Sequence, residues 1–307
     1  MARKENLKGM ENKIFVPPIK SQGIKTKLVP AINELILSSN ISLDGNWIEP
    51  FFGTGVVGFN TPMKGKRIVG DTNPHIIKFY QAIQKGEIDE DSVRTYLEIA
   101  NELLLQAAED GYAYYREVKN RFNVHFDLYD FIFLSRAGFN GMMRFNRKGE
   151  WNIPFCKKKD RFSPSYITKI CNQIKNIKKI ISSVEWEFDC VSFEDTIAKA
   201  QKGDLIYSDS PYFGRYADFY NSWTQNDEER LYNLLTRTKA YFILSTWHHN
   251  DFRENPLIAE LWSNFHVYTR DHFYHSGGKI KNRKPMVEAL ICNFELTHHY
   301  SDSRISC

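Results

Sequence analysis

The 307-residue chain is poor in several features that would otherwise decide its class. Its five cysteines (Cys156, Cys171, Cys190, Cys292 and Cys307) are odd in number, widely spaced and without a CxxC pair. That excludes a disulfide framework and offers no zinc spacing, so they read as reduced, inert thiols. No apolar run approaches the roughly 20 residues needed to cross a bilayer. The start, Met1-Ala2-Arg3-Lys4-Glu5, leads into polar residues with no apolar signal core, so a cytoplasmic protein with no membrane partner is expected. There is no internal repeat, no low-complexity stretch and no HExxH spacing. His248-His249 with Asp251, and His272 with His275, come nearest to a metal set. Without ligand spacing or cysteine support they read as loop and surface residues, and no metal is expected.

Net charge is also scarce, at +4, but its distribution is informative. Between Ser135 and Phe162 lie eight basic residues, Arg136, Arg144, Arg147, Lys148, Lys157, Lys158, Lys159 and Arg161, against Glu150 and Asp160. The segment therefore carries +6, more than the whole chain. Such a concentration is the footprint of a polyanionic partner, or else a solvated surface. Hydrophobic residues at 42% supply enough material for a core, arranged as one large domain or two modest ones.

Periodicity places the elements. Leu28, Ile32, Leu35 and Ile36 fall on one helical face. Trp47 to Phe51 reads as a strand entering a glycine turn, and Arg67 to Gly70 as a second strand ending at Asp71. From Ile76 to Phe122 the pattern turns helical, with Val93, Tyr96, Ala100, Leu103 and Leu104 keeping the 3.6 period. Arg147-Lys148-Gly149-Glu150 reads as a hairpin tip. Short strands return at Phe188–Val191, Leu205–Ser208, Tyr241–Leu244, His266–Thr269 and Val287–Cys292. Strands alternating with helices predict an α/β sheet, and the helical block within it an insertion. Thr224, followed by Asp227, Glu228 and Glu229, reads as a helix cap.

Gly53-Thr54-Gly55-Val56-Val57-Gly58 satisfies GxGxxG behind a predicted strand. Glycines let a ligand approach the backbone, and a following helix would offer free N–H groups and the positive end of its dipole. Asp71, at the end of the next strand, is placed to take the two hydroxyls of a ribose. Alone, the pair fits NAD or S-adenosylmethionine (AdoMet) equally well. Glu49, just ahead of the turn, separates them: an acid serves a pyrophosphate poorly, whereas AdoMet carries an ammonium and a sulfonium.

Leu205 to Ser208 runs directly into Asp209-Ser210-Pro211-Tyr212. Residues just past the carboxyl end of a strand face the ligand crevice of an open α/β sheet. An exocyclic amine of a base is a poor nucleophile because its lone pair is delocalised into the ring. Two acceptors on its two hydrogens would draw the nitrogen toward tetrahedral geometry. Asp209 offers a carboxylate, Ser210 a backbone carbonyl stiffened by Pro211, and Tyr212 a flat face for an extruded base. Phe219-Tyr220-Asn221-Ser222-Trp223, just beyond, is either core or a loop closing over that base. Lys279, Lys281, Arg283 and Lys284 are further candidates for phosphates, or a solvated loop.

Together these residues resemble the Dam-type DNA adenine-N6 methyltransferases, and within them the branch of the EcoRV modification methylase. The resemblance runs from Phe15 to Phe294. It implies that Ser21 and Lys25 contact AdoMet, that Gly53 and Gly55 form the cofactor turn with Asp71 at the ribose, and that Ser192-Phe193 meets the donor's adenine. Asp209, Ser210, Pro211 and Tyr212 occupy the catalytic DPPY position, in the family's alpha order of motifs. Phe139 to Phe155 resembles the target-recognition hairpin, so Asn140 and Arg144 would reach bases and Arg136 a phosphate, with Lys157 and Lys158 on the backbone. Two positions depart from the family pattern: Ser210 stands for its proline and Ser135 for its asparagine.

The expected architecture is a Rossmann-like AdoMet methyltransferase sheet formed by residues 1–75 and 165–307. A mainly helical target-recognition insertion bearing a β-hairpin, residues 76–164, interrupts it. The expected partner is double-stranded DNA, with a GATATC-like site methylated at its first adenine, or a GATC site as the alternative. The expected setting is a restriction-modification system with a cognate endonuclease. Two rival readings predict different behaviour. A nicotinamide oxidoreductase would bind NADH, and a non-catalytic DNA-binding protein would bind duplex without transferring a methyl group.

Overall fold

The computed structural model describes residues 14–21, 23–212, 223–272 and 286–297. The tail 1–13, the aromatic positions 219–222, His275, the basic positions 279–284 and Cys307 lie outside the described residues.

Among the described residues eight strands form one sheet: β1 (Trp47–Glu49), β2 (Arg67–Gly70), β3 (Trp186–Asp189), β4 (Leu205–Ser208), β5 (Tyr241–Asn250), β6 (Arg253–Glu254), β7 (His266–His272) and β8 (Met286–Cys292). Their order is β3-β2-β1-β4-β5-β8-β7, with β6 paired to β5. The first five are mutually parallel, the doubly wound order of a Rossmann-like fold, while β8 runs antiparallel between β5 and β7. The order reverses between β1 and β4, and a crevice opens at the carboxyl ends of strands at such a switch point. All residues of β1, β2 and β4 are buried, as a parallel sheet covered on both faces requires.

Helix α1 (Val29–Leu37) packs Val29, Ile32, Leu35 and Ile36 inward. Five helices separate β2 from β3: α2 (Pro74–Lys85), α3 (Glu90–Gln106), α4 (Tyr112–His125), α5 (Leu128–Ala137) and α6 (Pro164–Ser183). Their starts are written locally. Asn73 caps α2 through His75 N–H ahead of Pro74, and Asp89 with Ser92 forms a capping box on α3. The buried face of α3 is Val93, Leu97, Ala100 and Leu104, so Leu97 belongs to the stripe and Leu103 points to solvent. Helix α6 buries Ile167, Ile170, Ile174, Ile177 and Ile181 at helical spacing. After β3 come α7 (Phe193–Ile197), α8 (Gln225–Arg237) and α9 (Pro256–Leu261); Thr224 and Asp227 form a capping box on α8, as expected.

Between α5 and α6 the chain folds back as a hairpin, held by single bridges at Gly138↔Phe155 and Phe145↔Trp151. Asn146 closes its tip: its side chain accepts from the Lys148 and Glu150 N–H groups, and Gly149 sits at φ 80°. Trp151, Ile153 and Phe155 alternate inward, joining the cluster that runs continuously into the sheet. Two expectations are corrected. The strand at residue 241 continues to Asn250, and the glycine turn opens into a three-residue 3₁₀ turn, Gly58–Asn60, instead of an α-helix. No described helix is long and apolar enough to cross a membrane.

Candidate active site

Three neighbouring parallel strands end in acids: β2 at Asp71, β1 at Glu49 and β4 at Asp209. The three glycines of the turn beside them have different reasons to be glycine. At Gly53 (φ 51°) an added Cβ would meet nothing within 4 Å, so this is the point of open backbone approach. At Gly55 (φ 75°) it would fall 2.4 Å from the Phe52 ring, and at Gly58 2.4 Å from Glu49 Oε2. Those two glycines leave no room for a side chain against the packing and the acid, whereas Gly53 faces open space.

Asp71 holds the turn. Its Oδ2 accepts the Gly53 N–H at 2.7 Å and its Oδ1 the Asn73 N–H at 2.7 Å. Burial raises its pKa and those two N–H groups oppose the rise. The structure thus gives the expected ribose acid a second task, fixing the loop that a ligand would meet. Glu49 is 2% exposed and accepts from Trp47 Nε1 at 2.8 Å. Burial pushes its pKa well above the carboxylate range; Trp47 and the Gly58 N–H pull it down, while Asp209 and Asp71 push it further up.

Asp209 faces Lys25, whose Nζ lies 2.9 Å from Oδ1; the lysine is 5% exposed and the acid 21%. Burial lifts the Asp209 pKa to about 6 even though Lys25 pulls it down, with Glu288 adding to the rise. The same ammonium donates to the Gly23 carbonyl at 3.1 Å and lies 5.2 Å from the centre of the Tyr212 ring. Tyr212 donates its hydroxyl to Glu288 Oε2 at 2.6 Å. Lys25, more than 180 residues ahead of Asp209 and Tyr212 in the chain, therefore meets both. Ser210 is buried, and Ser21 is half-buried at the start of the loop carrying Lys25. A row of three acids with one lysine, each acid made harder to ionise by burial, fits a ligand that brings positive charge.

Phe193 stacks on Phe51 with centroids 5.3 Å apart, meets Trp223 at 5.5 Å, and carries the Arg230 guanidinium over its ring. Trp223 also donates to the buried Glu228 at 2.7 Å, so this end of the aromatic run is core.

The recognition residues divide. Asn140 is exposed with φ 54°, a left-handed backbone that Asn tolerates better than most side chains. Beside it Phe139 is 46% exposed. Arg144 is half-buried, its NH2 lying 3.2 Å from the Asn152 carbonyl. Lys157 and Lys158 are exposed. Arg136 does not lie on this surface: it is 2% exposed, donating to Tyr166 Oη at 3.3 Å and to Gln173 Oε1. Its apolar helix, Leu128–Ala137, carries it inward, and a direct reach to a phosphate does not describe its position here.

Around Tyr166 the structure assembles a group that motif reading missed. Arg161 lies 4.7 Å from the ring centre, Arg136 5.6 Å and Lys20 5.8 Å. Burial favours the neutral phenol, yet Arg136, Lys20 and Arg161 outweigh it and lower the Tyr166 pKa. Glu288 was missed too, although a lone acid within the apolar run Met286–Cys292 is a legible signal of a buried, partnered carboxylate.

Comparison with known proteins agrees with this geometry. The type II methyltransferase M.FokI of Planomicrobium okeanokoites is 26% identical over 293 residues, covering 92% of this chain and 43% of that protein. The retron Ec67 DNA adenine methylase of Escherichia coli is 30% identical over 197 residues, 61% of this chain and 62% of that one. The DNA adenine methylase of Escherichia coli K12 is 31% identical over 170 residues, 54% and 55%. The chain thus spans about half the length of the curated relatives it matches. The profile of one family matches residues 21–276, taking in the loop of Lys25, the glycine turn, the recognition hairpin and the Asp209 turn. The chain belongs to the D12 class N6 adenine-specific DNA methyltransferases.

Proposed function

We propose that this protein transfers a methyl group from AdoMet to the N6 amine of adenine in duplex DNA, acting on a base turned out of the helix. The observation that carries this reading is Asp209, set at the carboxyl end of β4 against Lys25 in a row of acids. AdoMet supplies an activated methyl group on a sulfonium. Glu49 answers its positive charges, Asp71 and Gly53 line the approach, and Ser21, Lys25, Gly55 and Phe193 complete its surroundings.

The target amine is held by this chain's own atoms. Asp209 accepts one N6 hydrogen and the Ser210 carbonyl the other, turning the lone pair toward the methyl carbon. Lys25 keeps the carboxylate ionised at neutral pH although burial has raised its pKa to about 6. As nitrogen gains the methyl carbon, that carbon's bond to sulfur would break and leave its electron pair on a neutral thioether. The proton nitrogen then gives up would find a carboxylate poised near neutrality suited to receive it. Tyr212 and Pro211 form the platform for the extruded ring.

Residues 76–164 are the DNA-recognition insertion in this reading, opening just inside α2 and closing at the foot of α6. Arg144 pairs with guanine, Asn140 with adenine, Phe139 enters the stack, and Lys157 and Lys158 meet phosphates. The type II name of M.FokI supports a modification enzyme whose cognate endonuclease shares its site. We infer a GATATC-like site methylated at its first adenine, ahead of GATC. Labelled methyl transfer from AdoMet to duplexes carrying GATATC, GATC or neither, followed by mapping of the labelled base, tests the whole reading. Label confined to GATATC is expected, and protein that binds AdoMet but labels no adenine-containing duplex overturns it.

A further inference from the structure

We propose that Glu288 is a positioning residue of the methyl-transfer site, a buried carboxylate that sets the plane of the Tyr212 ring by holding its hydroxyl. The inference rests on the reading of Tyr212 as the platform for the target base. Glu288 is 0% exposed and is the only acid of β8, in Met-Val-Glu-Ala-Leu-Ile-Cys. An ionised acid in such a place is strongly unfavourable unless bonded, so its partners describe its purpose. The Tyr212 hydroxyl donates to Oε2 at 2.6 Å, in the short range of an O–H donor on a carboxylate.

The position matters as much as the distance. Tyr212 lies three residues past Asp209, on the loop that leaves β4. A ring on such a turn would rotate about two side-chain bonds unless something gripped its far end. Glu288 supplies the grip from a strand hydrogen-bonded on both edges, opposite Trp247 of β5 and Arg270 of β7. Lys25 lies over the ring at 5.2 Å and bonds Asp209 at 2.9 Å. One chain of contacts therefore runs from Glu288 through the ring and Lys25 to Asp209. It fixes the stacking plane and the amine acceptor relative to each other, and it assigns the base to the ring face opposite Lys25. Glu288 touches no reacting atom in this scheme.

The test uses the full chain with a duplex carrying 2-aminopurine at the adenine mapped by labelled transfer. Tyr212→Phe removes only the hydroxyl. It is expected to lower kcat about tenfold, keep the KM for DNA within about twofold, and reduce the 2-aminopurine emission that reports an unstacked base. Glu288→Gln keeps an acceptor and should retain most of kcat, whereas Glu288→Leu should match Tyr212→Phe. The Tyr212→Phe/Glu288→Leu double variant should be no slower than either single change. Wild-type kcat and emission in Tyr212→Phe overturn the proposal, as do losses that multiply in the double variant. If Glu288→Leu fails to fold, Tyr212→Phe and Glu288→Gln decide alone. Wild-type protein that labels no duplex overturns the methyltransferase reading itself; labelling with an unaffected Tyr212→Phe overturns only the role of Glu288.

Discussion

The carboxyl edge of the sheet and the surroundings of Tyr166 are electrostatic opposites within one chain. At the sheet edge, Asp71, Glu49 and Asp209 stand on adjacent strands with Lys25 at 2.9 Å from the last, and burial raises all three acids. Around Tyr166, three cations crowd one phenol, and Lys20 and Arg136 have their pKa values lowered, in each case first by burial. Among the described residues their partners there are a phenol, a carboxamide and backbone, with no carboxylate. Each region holds like charge at a cost, which a ligand of the opposite sign would relieve. Under the proposed function a cationic donor would do so at the first and a phosphate backbone beside the second. The overall charge of +4 conceals both.

Separating the two regions by mutation gives the largest expected effect. Asp209→Ala should lower turnover by about 1000-fold or more while leaving the Kd for duplex within about twofold, measured by labelled transfer and fluorescence anisotropy. Equal losses in both would mean that the acid edge and the basic surface act as one site.

Next in size is the dependence on Lys25. In the proposed reaction Asp209 acts as the carboxylate, so activity should fall as pH drops through about 6. Lys25 is the influence that lowers that pKa. Lys25→Met should therefore move the acid limb of the kcat/KM profile above 6, costing about tenfold at mildly acidic pH and much less in alkali. An unmoved limb would separate Lys25 from Asp209 and leave the lysine a packing role.

A third change tests the exposed lysines of the segment that also supplies Arg161. Lys157, Lys158 and Lys159 changed together to Ala should reduce the slope of log affinity against log salt by about 2, with turnover at low salt retained. Lys159 contributes least, because its Nζ already lies 3.8 Å from Asp110. A slope that does not change would place the DNA path elsewhere.

The two poles were unequally legible. Strand β4 and its Asp209 turn were readable because a short apolar strand, an acid and a proline act locally. Glu49 was readable because an acid before a glycine turn has few structural uses. The group around Tyr166 was not: Lys20, Arg136, Arg161 and Tyr166 come from three separate segments and meet only through side-chain contacts made in the fold. Arg136 looked like a surface cation within a basic segment. Its burial follows from Phe131 to Leu134 and Ala137, which take the whole C-terminal half of α5 into the core. The α-helix expected after Gly58 failed for a local reason, since Glu49 and the Gly58 N–H close the loop into a 3₁₀ turn that leads to β2.

The smallest effect is expected at Ser210, where the chain departs from the family proline. The chemistry assigned to this position uses its carbonyl, which both residues possess, and Pro211 already restrains it toward an extended backbone. A proline here removes conformations from the unfolded chain, worth about 0.5–1 kcal/mol if the native φ suits it. Ser210→Pro should therefore keep turnover or raise it by at most about threefold, with Tm unchanged or higher by a few degrees. Ser210 is buried between Asp209 and the platform, so a misfit cannot escape into solvent. A loss of tenfold or more would show that the turn depends on the Ser210 N–H or hydroxyl, and the second acceptor of the amine would have to be sought elsewhere on the acid edge.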